Sequence, residues 1–375
     1  MELCHPLTVR ILITNNSLAG RSGTELYVRD LALQLRALGH EPVAWSTSLG
    51  DVADELKAAG IPVTDDLAQL PFQPDIIHGQ HHLDTMTALL TLPGIPAVYF
   101  CHGALPWEEM PPVFPRIHRY VAVDRPCHER IVQEAGISPE KITTLLNFVD
   151  LERFQPRPPL PDRPRRALVF SNYARRNHTL RIIHETCAEH GITLDVVGSS
   201  ADNATAAPEK ILPQYDLVFA KARAALEAMA TGCAVIVWHT SGCGPLVTTQ
   251  GFERLRAYNF GFRTADQPVT RQFLSGQIAG YNAADAAAVS RLVRSQADMR
   301  ATVDRIVRIY EDALAEHRQQ PPNPAAEMRA AGLYWQRMVP LIKHGPKSLP
   351  ALARKNQYEK IARMADRLAR WLRAR

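Results

Sequence analysis

Within residues 215–237, YDLVFAKARAALEAMATGCAVIV, the Ala-rich segment between two apolar runs gathers one carboxylate, Glu227, and two cations, Lys221 and Arg223. The apolar run at 217–219, the strong helix formers at 222–230 stopped by Gly232, and a second apolar run at 234–237 predict strand, helix, strand. Helix N-termini favour anions, and two cations beside one suit a phosphate group. An ordinary α/β crossover has the same pattern, so the surroundings must decide.

Several polar residues fall where strands of such a sheet should end. The segment VRILIT at 9–14 is apolar and β-branched, a buried strand, and NNSLAGRSGTE follows it with Gly20, Gly23 and Thr24. These glycines let backbone N–H groups approach a ligand; alternatively, Thr24 and Glu25 simply cap the next helix. PDIIHG ends in His78 and Gly79, and AVYFCHG ends in His102 and Gly103. A histidine there can hydrogen-bond a hydroxyl or share a proton near neutral pH, which makes His102 the candidate for substrate contact. His78, His81 and His82 invite a metal reading, but only Asp84 accompanies them, and we expect no metal.

Short apolar strands alternate with helical periodicity along both halves, which predicts parallel Rossmann-like sheets to carry these residues. Ligands bind such sheets beyond the carboxyl ends of the strands. The length of 375 residues favours two domains. Prolines 156, 158, 159, 161 and 164 mark the linker between 1–155 and 165–318. No GxGxxG loop supports a dehydrogenase. Six cysteines lack CxxC pairing and sit in apolar surroundings, as free thiols of a reducing cytosol do. The start has no basic segment leading into a long apolar run, so no signal peptide is expected.

The ordering GxxGxE with a helix ending in GH, then PDIIHG, a strand ending in HG, and KITTLLNFVDLERF resembles the N-terminal half of glycosyltransferase family 4. NFVDLERF resembles the family's hinge signature NGVDxxxF, with Phe148 in place of glycine. The resemblance, over about residues 8–318, implies a GT-B fold. It also implies a retaining, metal-independent transfer of a sugar from a nucleotide-sugar co-substrate, with no other cofactor. The acceptor would sit on 1–155, near Gly20, Gly23, Thr24 and His78, and the donor on 165–318.

The second half matches in part. EAMATG at 227–232 matches the family's second glutamate and its tail, which implies that Glu227 accepts hydrogen bonds from the nucleotide ribose. The family's arginine and lysine after the first strand are Asn172 and Asn177 here. Arg175 and Arg176, in the same loop, are the substitutes for gripping the diphosphate, with Lys221 and Arg223. The first glutamate is Phe219, and the usual Gly-Phe-Gly is Ala220, Lys221 and Ala222. Nucleotide binding is therefore expected to persist while the sugar end is rebuilt. The alternative is a GT-B protein that binds nucleotide or sugar without turnover. Ser241-Gly-Cys-Gly-Pro245 reads as a Gly-rich loop at the same rim, and 285–316 as the family's closing helices.

The net charge of +5 is concentrated at the end: 351–375 holds eight Lys/Arg against Glu359 and Asp366. With no basic stripe on the body, nucleic acid is not an expected partner. Residues 319–375 read as a helical extension, and 349–373 as a basic amphipathic helix with Ile361, Met364, Leu368 and Trp371 on one face. It suits an anionic membrane surface, a partner helix or the protein's own body. A cytoplasmic enzyme peripheral to the inner membrane face, acting on a lipid-linked or cell-envelope glycan acceptor, is the expectation.

Overall fold

In the computed structural model, residues 8–175, 177–320 and 322–344 are described. Seven parallel strands form the first sheet: β1 (Arg10–Thr14), β2 (Glu41–Trp45), β3 (Val63–Thr64), β4 (Ile76–Gln80), β5 (Ala97–Cys101), β6 (Ile117–Ala122) and β7 (Ile142–Thr144). Their spatial order is β3-β2-β1-β4-β5-β6-β7. The helices α1 (Gly23–Ala37), α2 (Asp51–Ala58), α3 (His82–Thr91) and α4 (Arg125–Ala135) cross between them. Central strands such as β1 and β5 are buried on both faces, as their continuous apolar runs require.

The second sheet contains β8 (Arg166–Phe170), β9 (Thr193–Val197), β10 (Leu217–Ala220), β11 (Ala234–His239) and β12 (Gly242–Leu246), ordered β12-β11-β10-β8-β9. Its helices are α5 (His178–Glu189), α6 (Pro208–Ile211), α7 (Ala222–Thr231), α8 (Phe252–Arg256), α9 (Arg271–Ala279) and α10 (Ala283–Gln296). Strand order reverses direction between β1 and β4 in one sheet and between β8 and β10 in the other. Ligand crevices of doubly wound sheets lie at these two places. The stretch 241–245 is not the expected loop: β12 pairs antiparallel with β11 and closes the sheet edge. There Gly242 and Gly244 lie where a Cβ would meet the Ala265 and Thr264 carbonyls at 2.3 and 2.2 Å.

The chain crosses between the sheets twice, side by side. The Val149 N–H donates to the Ala297 carbonyl at 2.8 Å, and the Met299 N–H donates to the Val149 carbonyl at 3.1 Å. Phe148 is buried in the first core and Val149 in the second. The second crossing sends α11 (Met299–Gln319) back over the first sheet, where Val303, Ile306, Tyr310 and Ala313 complete its core. Helix α12 (Pro324–His344) adds Ala331, Tyr334 and Met338 to the opposite face. The residues from 299 onward that sequence reading grouped with the second domain therefore pack on the first. The proline-rich linker is also bound down: Arg157 pairs with Asp216 at 3.0 Å and the Tyr281 hydroxyl donates to the Pro161 carbonyl at 3.0 Å. The basic segment 349–373 lies outside the described residues.

The returning helix also changes the place of His78. Its side chain is fully buried, stacked on Phe100 with centroids 3.9 Å apart, and Nδ1 lies 2.6 Å from the Tyr310 hydroxyl of α11. It is a core residue rather than an acceptor contact, because the outward turn of its strand position faces α11. Tyr310→Phe leaves the buried ring nitrogen without that partner and should cost about 1–3 kcal/mol. Urea unfolding measures this, and an unchanged midpoint would remove the bond from the account of stability.

Candidate active site

At the first crevice Glu25 organises the loop after β1. Its carboxylate accepts from the Ser17 hydroxyl at 2.7 Å, the Gly20 N–H at 2.9 Å and the Ser22 N–H at 2.6 Å. Burial pushes this carboxyl up, but the Ser22, Ser17 and Gly20 donors outweigh it and hold it below its ordinary value. Gly20 is thus tied to Glu25. Gly23 and Thr24 are not loop residues but the first two of α1, in a capping box between Ser22 and Glu25. They remain at the rim, Gly23 exposed and Thr24 half-buried.

Beside this loop, His81, His102 and Glu109 converge. The His102 N–H donates to Glu109 Oε2 at 2.8 Å, and His81 Nε2 lies 3.6 Å from Glu109 Oε1. The Asn16 N–H donates to His81 Nδ1 at 3.3 Å, so in this network the His81 proton belongs on Nε2, facing the carboxyl. The His102 ring packs edge-on against Tyr27 at 4.4 Å, and its Nε2 is buried without a protein partner. Arg130 of α4 holds the connecting loop through the Gly103 and Pro106 carbonyls at 2.9 and 2.7 Å. Gly103 is needed there, since a Cβ would come 2.9 Å from Pro106 Cδ. Burial pulls His102 down to about 3 and His81 to about 4, and pushes Glu109 up to about 8. At neutral pH the rim therefore presents uncharged imidazoles and a protonated carboxyl, groups that hydrogen-bond hydroxyls. His81, His82 and His78 part company: His82 Nδ1 goes to the Tyr334 hydroxyl at 2.9 Å.

At the second crevice, Lys221 stands at the start of α7 with Nζ 5.5 Å from the Tyr173 ring centroid. Burial lowers its pKa, and among the described residues no carboxylate is within ion-pair distance. Ala222 has φ +49°, a left-handed backbone at the position where the family resemblance places glycine. Arg175 is exposed in the loop after β8, whereas Arg176 lies outside the described residues. Asn172 and Asn177 are structural: Asn172 Oδ1 accepts from the Ser199 N–H and hydroxyl at 3.2 and 3.1 Å, and Asn177 caps α5 through the Leu180 N–H at 3.0 Å. Phe219 is fully buried in the core of the second sheet.

Arg223 departs from the expected phosphate role. Its Nε donates to Glu227 Oε1 at 2.7 Å while Nη2 reaches Asp30 Oδ2 of α1, so one guanidinium joins the two domains. Asp30 in turn pairs with Arg29 at 2.7 Å, and Arg29 with Glu55 at 3.3 Å. A cation with two carboxylates in reach satisfies them before any ligand arrives. Burial raises Asp30 but the two arginines outweigh it; for Glu227 burial prevails over Arg223 and the carboxyl is raised. Sequence reading missed Asp30, because a lone acid on a helix face resembles any solvated one. It missed Glu109 too, which sits in a non-periodic stretch between strands. Only its place shortly after the strand-ending His102 could have marked it.

The raised Glu109 carboxyl fixes a pH dependence. Its folded value of about 8 exceeds the ordinary 4.5 of a free glutamate, so its contribution to stability is full below the unfolded pKa and lost as pH rises through the folded one. Glu109→Gln should flatten the fall in stability between these limits, as read from melting temperatures across pH. A wild-type and variant difference that is constant with pH would show that Glu109 ionises normally.

Residues 21–153 match the model of Glycosyltransferase Family 4. No curated protein matches the chain. Among solved structures, a glycosyltransferase from Rickettsia africae is 14% identical over 82% of this chain and 99% of its own, with a TM-score of 0.60. Anabaena Alr3699/HepE in complex with UDP-glucose is 17% identical over 81% of this chain and 100% of its own, with a TM-score of 0.58. The chain thus has the GT-B glycosyltransferase fold, and its N-terminal domain matches glycosyltransferase family 4.

Proposed function

We propose that the protein is a glycosyltransferase that moves a sugar from a nucleotide-sugar donor, held by the second domain, to an acceptor on the first. The observation that carries this reading is Lys221, a half-buried cation with no carboxylate partner among the described residues, at the N-terminus of α7 and six residues before Glu227. An unmatched charge at a helix start beside a strand-order reversal is a diphosphate site, and Arg175 in the neighbouring loop adds a second cation. Charge developing on the leaving diphosphate is stabilised there without a metal. His102 and Glu109, across the cleft, recognise hydroxyls of the transferred sugar or acceptor. By resemblance the transfer retains the anomeric configuration. UDP-glucose, which the Anabaena protein binds, is the first donor to try.

Nucleotide release from a panel of nucleotide sugars, with a chelator present, tests the activity, and the product's anomeric proton signals report retention. Glu227→Ala, checked against Glu227→Gln for fold, should weaken donor binding by roughly 10–150-fold, the worth of a charged hydrogen bond at about 1.5–3 kcal/mol. Full activity in Glu227→Ala, or a strict demand for a divalent metal, would sink the reading. Phe219, buried where the resemblance calls for a glutamate, favours a second reading: binding without turnover. Calorimetric binding with no nucleotide release on any acceptor would select it.

The proposed location is cytoplasmic, peripheral to an anionic membrane. No helix among the described residues is long and apolar enough to cross one. Helix α12, held to α3 by His82 and Tyr334, exposes Met328 at 76%, Trp335 at 46%, Val339 at 41% and Ile342 at 63% along one flank, with Leu333 exposed on another. Such a flank suits the interface of a membrane, and the basic stretch 349–373, which follows it in the sequence, suits anionic lipid. Vesicles containing phosphatidylglycerol should sediment the protein and purely zwitterionic ones should not. Trp335→Ser with Val339→Ser should weaken the association. Equal recovery in the supernatant with both lipids would dismiss it.

A further inference from the structure

Beside the hinge lies a cavity of about 440 Å³, within the roughly 300–1,000 Å³ of small-molecule sites. Arg125, His128 and Thr144 of the first domain line it, with Arg256 of the second and Arg305 of the returning α11. None of the candidate active-site residues lines it, and neither does any carboxylate.

The charges there do not balance. Arg256 is only 2% exposed, yet its partners are neutral: Asn259 Oδ1 at 2.7 Å and the Asn147 carbonyl at 2.6 Å. Its Nε has no partner among the described residues. Burial draws this guanidinium down to about 10, against the pull of Glu253, whose carboxylate accepts from Gln296 at 2.8 Å. Arg305 is exposed and among the described residues makes no ion pair. Arg125 does pair with Glu129 at 3.0 Å, but the same carboxylate also takes Arg263 at 3.0 Å. His128 Nδ1 lies 3.2 Å from the Thr144 hydroxyl, which fixes both at the wall. A buried cation without a countercharge is costly, and a cavity beside it lined by two more guanidinium groups is a place for that countercharge. Planar guanidinium groups and a hydroxyl suit the oxygens of phosphate.

We propose that this cavity binds a phosphate-bearing small anion, at a site separate from the donor's. The test is calorimetric titration of the full chain with inorganic pyrophosphate and, separately, with a hexose phosphate, after saturation with a nucleoside diphosphate to fill the donor site. One further anion should bind. Arg305→Gln, which removes an exposed side chain without an ion pair, should weaken it by at least about tenfold, while Lys221→Gln leaves it unchanged. Tighter uptake of the hexose phosphate names an organic source, and tighter uptake of pyrophosphate a free one. No uptake of either, or a loss in Lys221→Gln in place of Arg305→Gln, overturns the proposal. A chain that binds no nucleoside diphosphate defeats the donor reading instead, and the same two variants titrated without nucleotide still decide the cavity.

Discussion

One guanidinium is shared across the two domains. Arg223 lies between Asp30 of α1 and Glu227 of α7, nearly out of water, with Arg29 and Glu55 extending the chain of charges. Removing one member of a buried charge group leaves the others uncompensated, which costs about 3–5 kcal/mol for a typical pair. Glu227 is therefore not an independent acceptor waiting for a ribose. Any rearrangement of its carboxylate changes the charge balance at the contact between the domains, so geometry at the second crevice and the approach of α1 to α7 are one electrostatic problem.

The hinge makes that sharing workable. Two adjacent crossings, hydrogen-bonded through Val149, limit the directions in which the domains can part. Phe148 explains itself here. Where the resembling signature has glycine, this chain places an aromatic ring 5.1 Å from that of Tyr27, and Tyr27 in turn packs on His102. The hinge residue thereby reaches the wall behind the crevice. Lost backbone freedom is exchanged for packing that fixes the His102 ring.

Local signals were legible wherever one strand or helix decides them. The strands other than β12, the rim positions of His102 and Lys221, and the helix stop at Gly232, with φ +99°, follow from apolar runs and from the left-handed conformation that glycine tolerates. What periodicity cannot say is which sheet a helix covers. The apolar face of α11 fits either core, and only the second crossing beside Val149 sends it to the first. His78 was misplaced for the same reason, since a strand-end histidine reads as a rim residue until a distant helix covers it. Arg223 was misread because its partner Asp30 is far away in sequence, and charge alone does not reveal who neutralises it.

The two crevices differ in kind, and the difference follows from burial. On the first rim, desolvation strips charge from His81, His102 and Glu109, leaving donors and acceptors of hydrogen bonds. On the second, Lys221 has no carboxylate within ion-pair distance among the described residues, and the helix start adds to its field. An anion gains at the second rim and nothing at the first, while a neutral polyhydroxyl group gains at the first. Phe219 sharpens the division. By filling the core under β10 with an aromatic ring, it removes an acid that would have weakened the field of Lys221, so the second crevice is left with cations and one occupied carboxylate. For the sugar diphosphate proposed above as donor, charge alone would then favour phosphate toward α7 and hydroxyls toward Glu109.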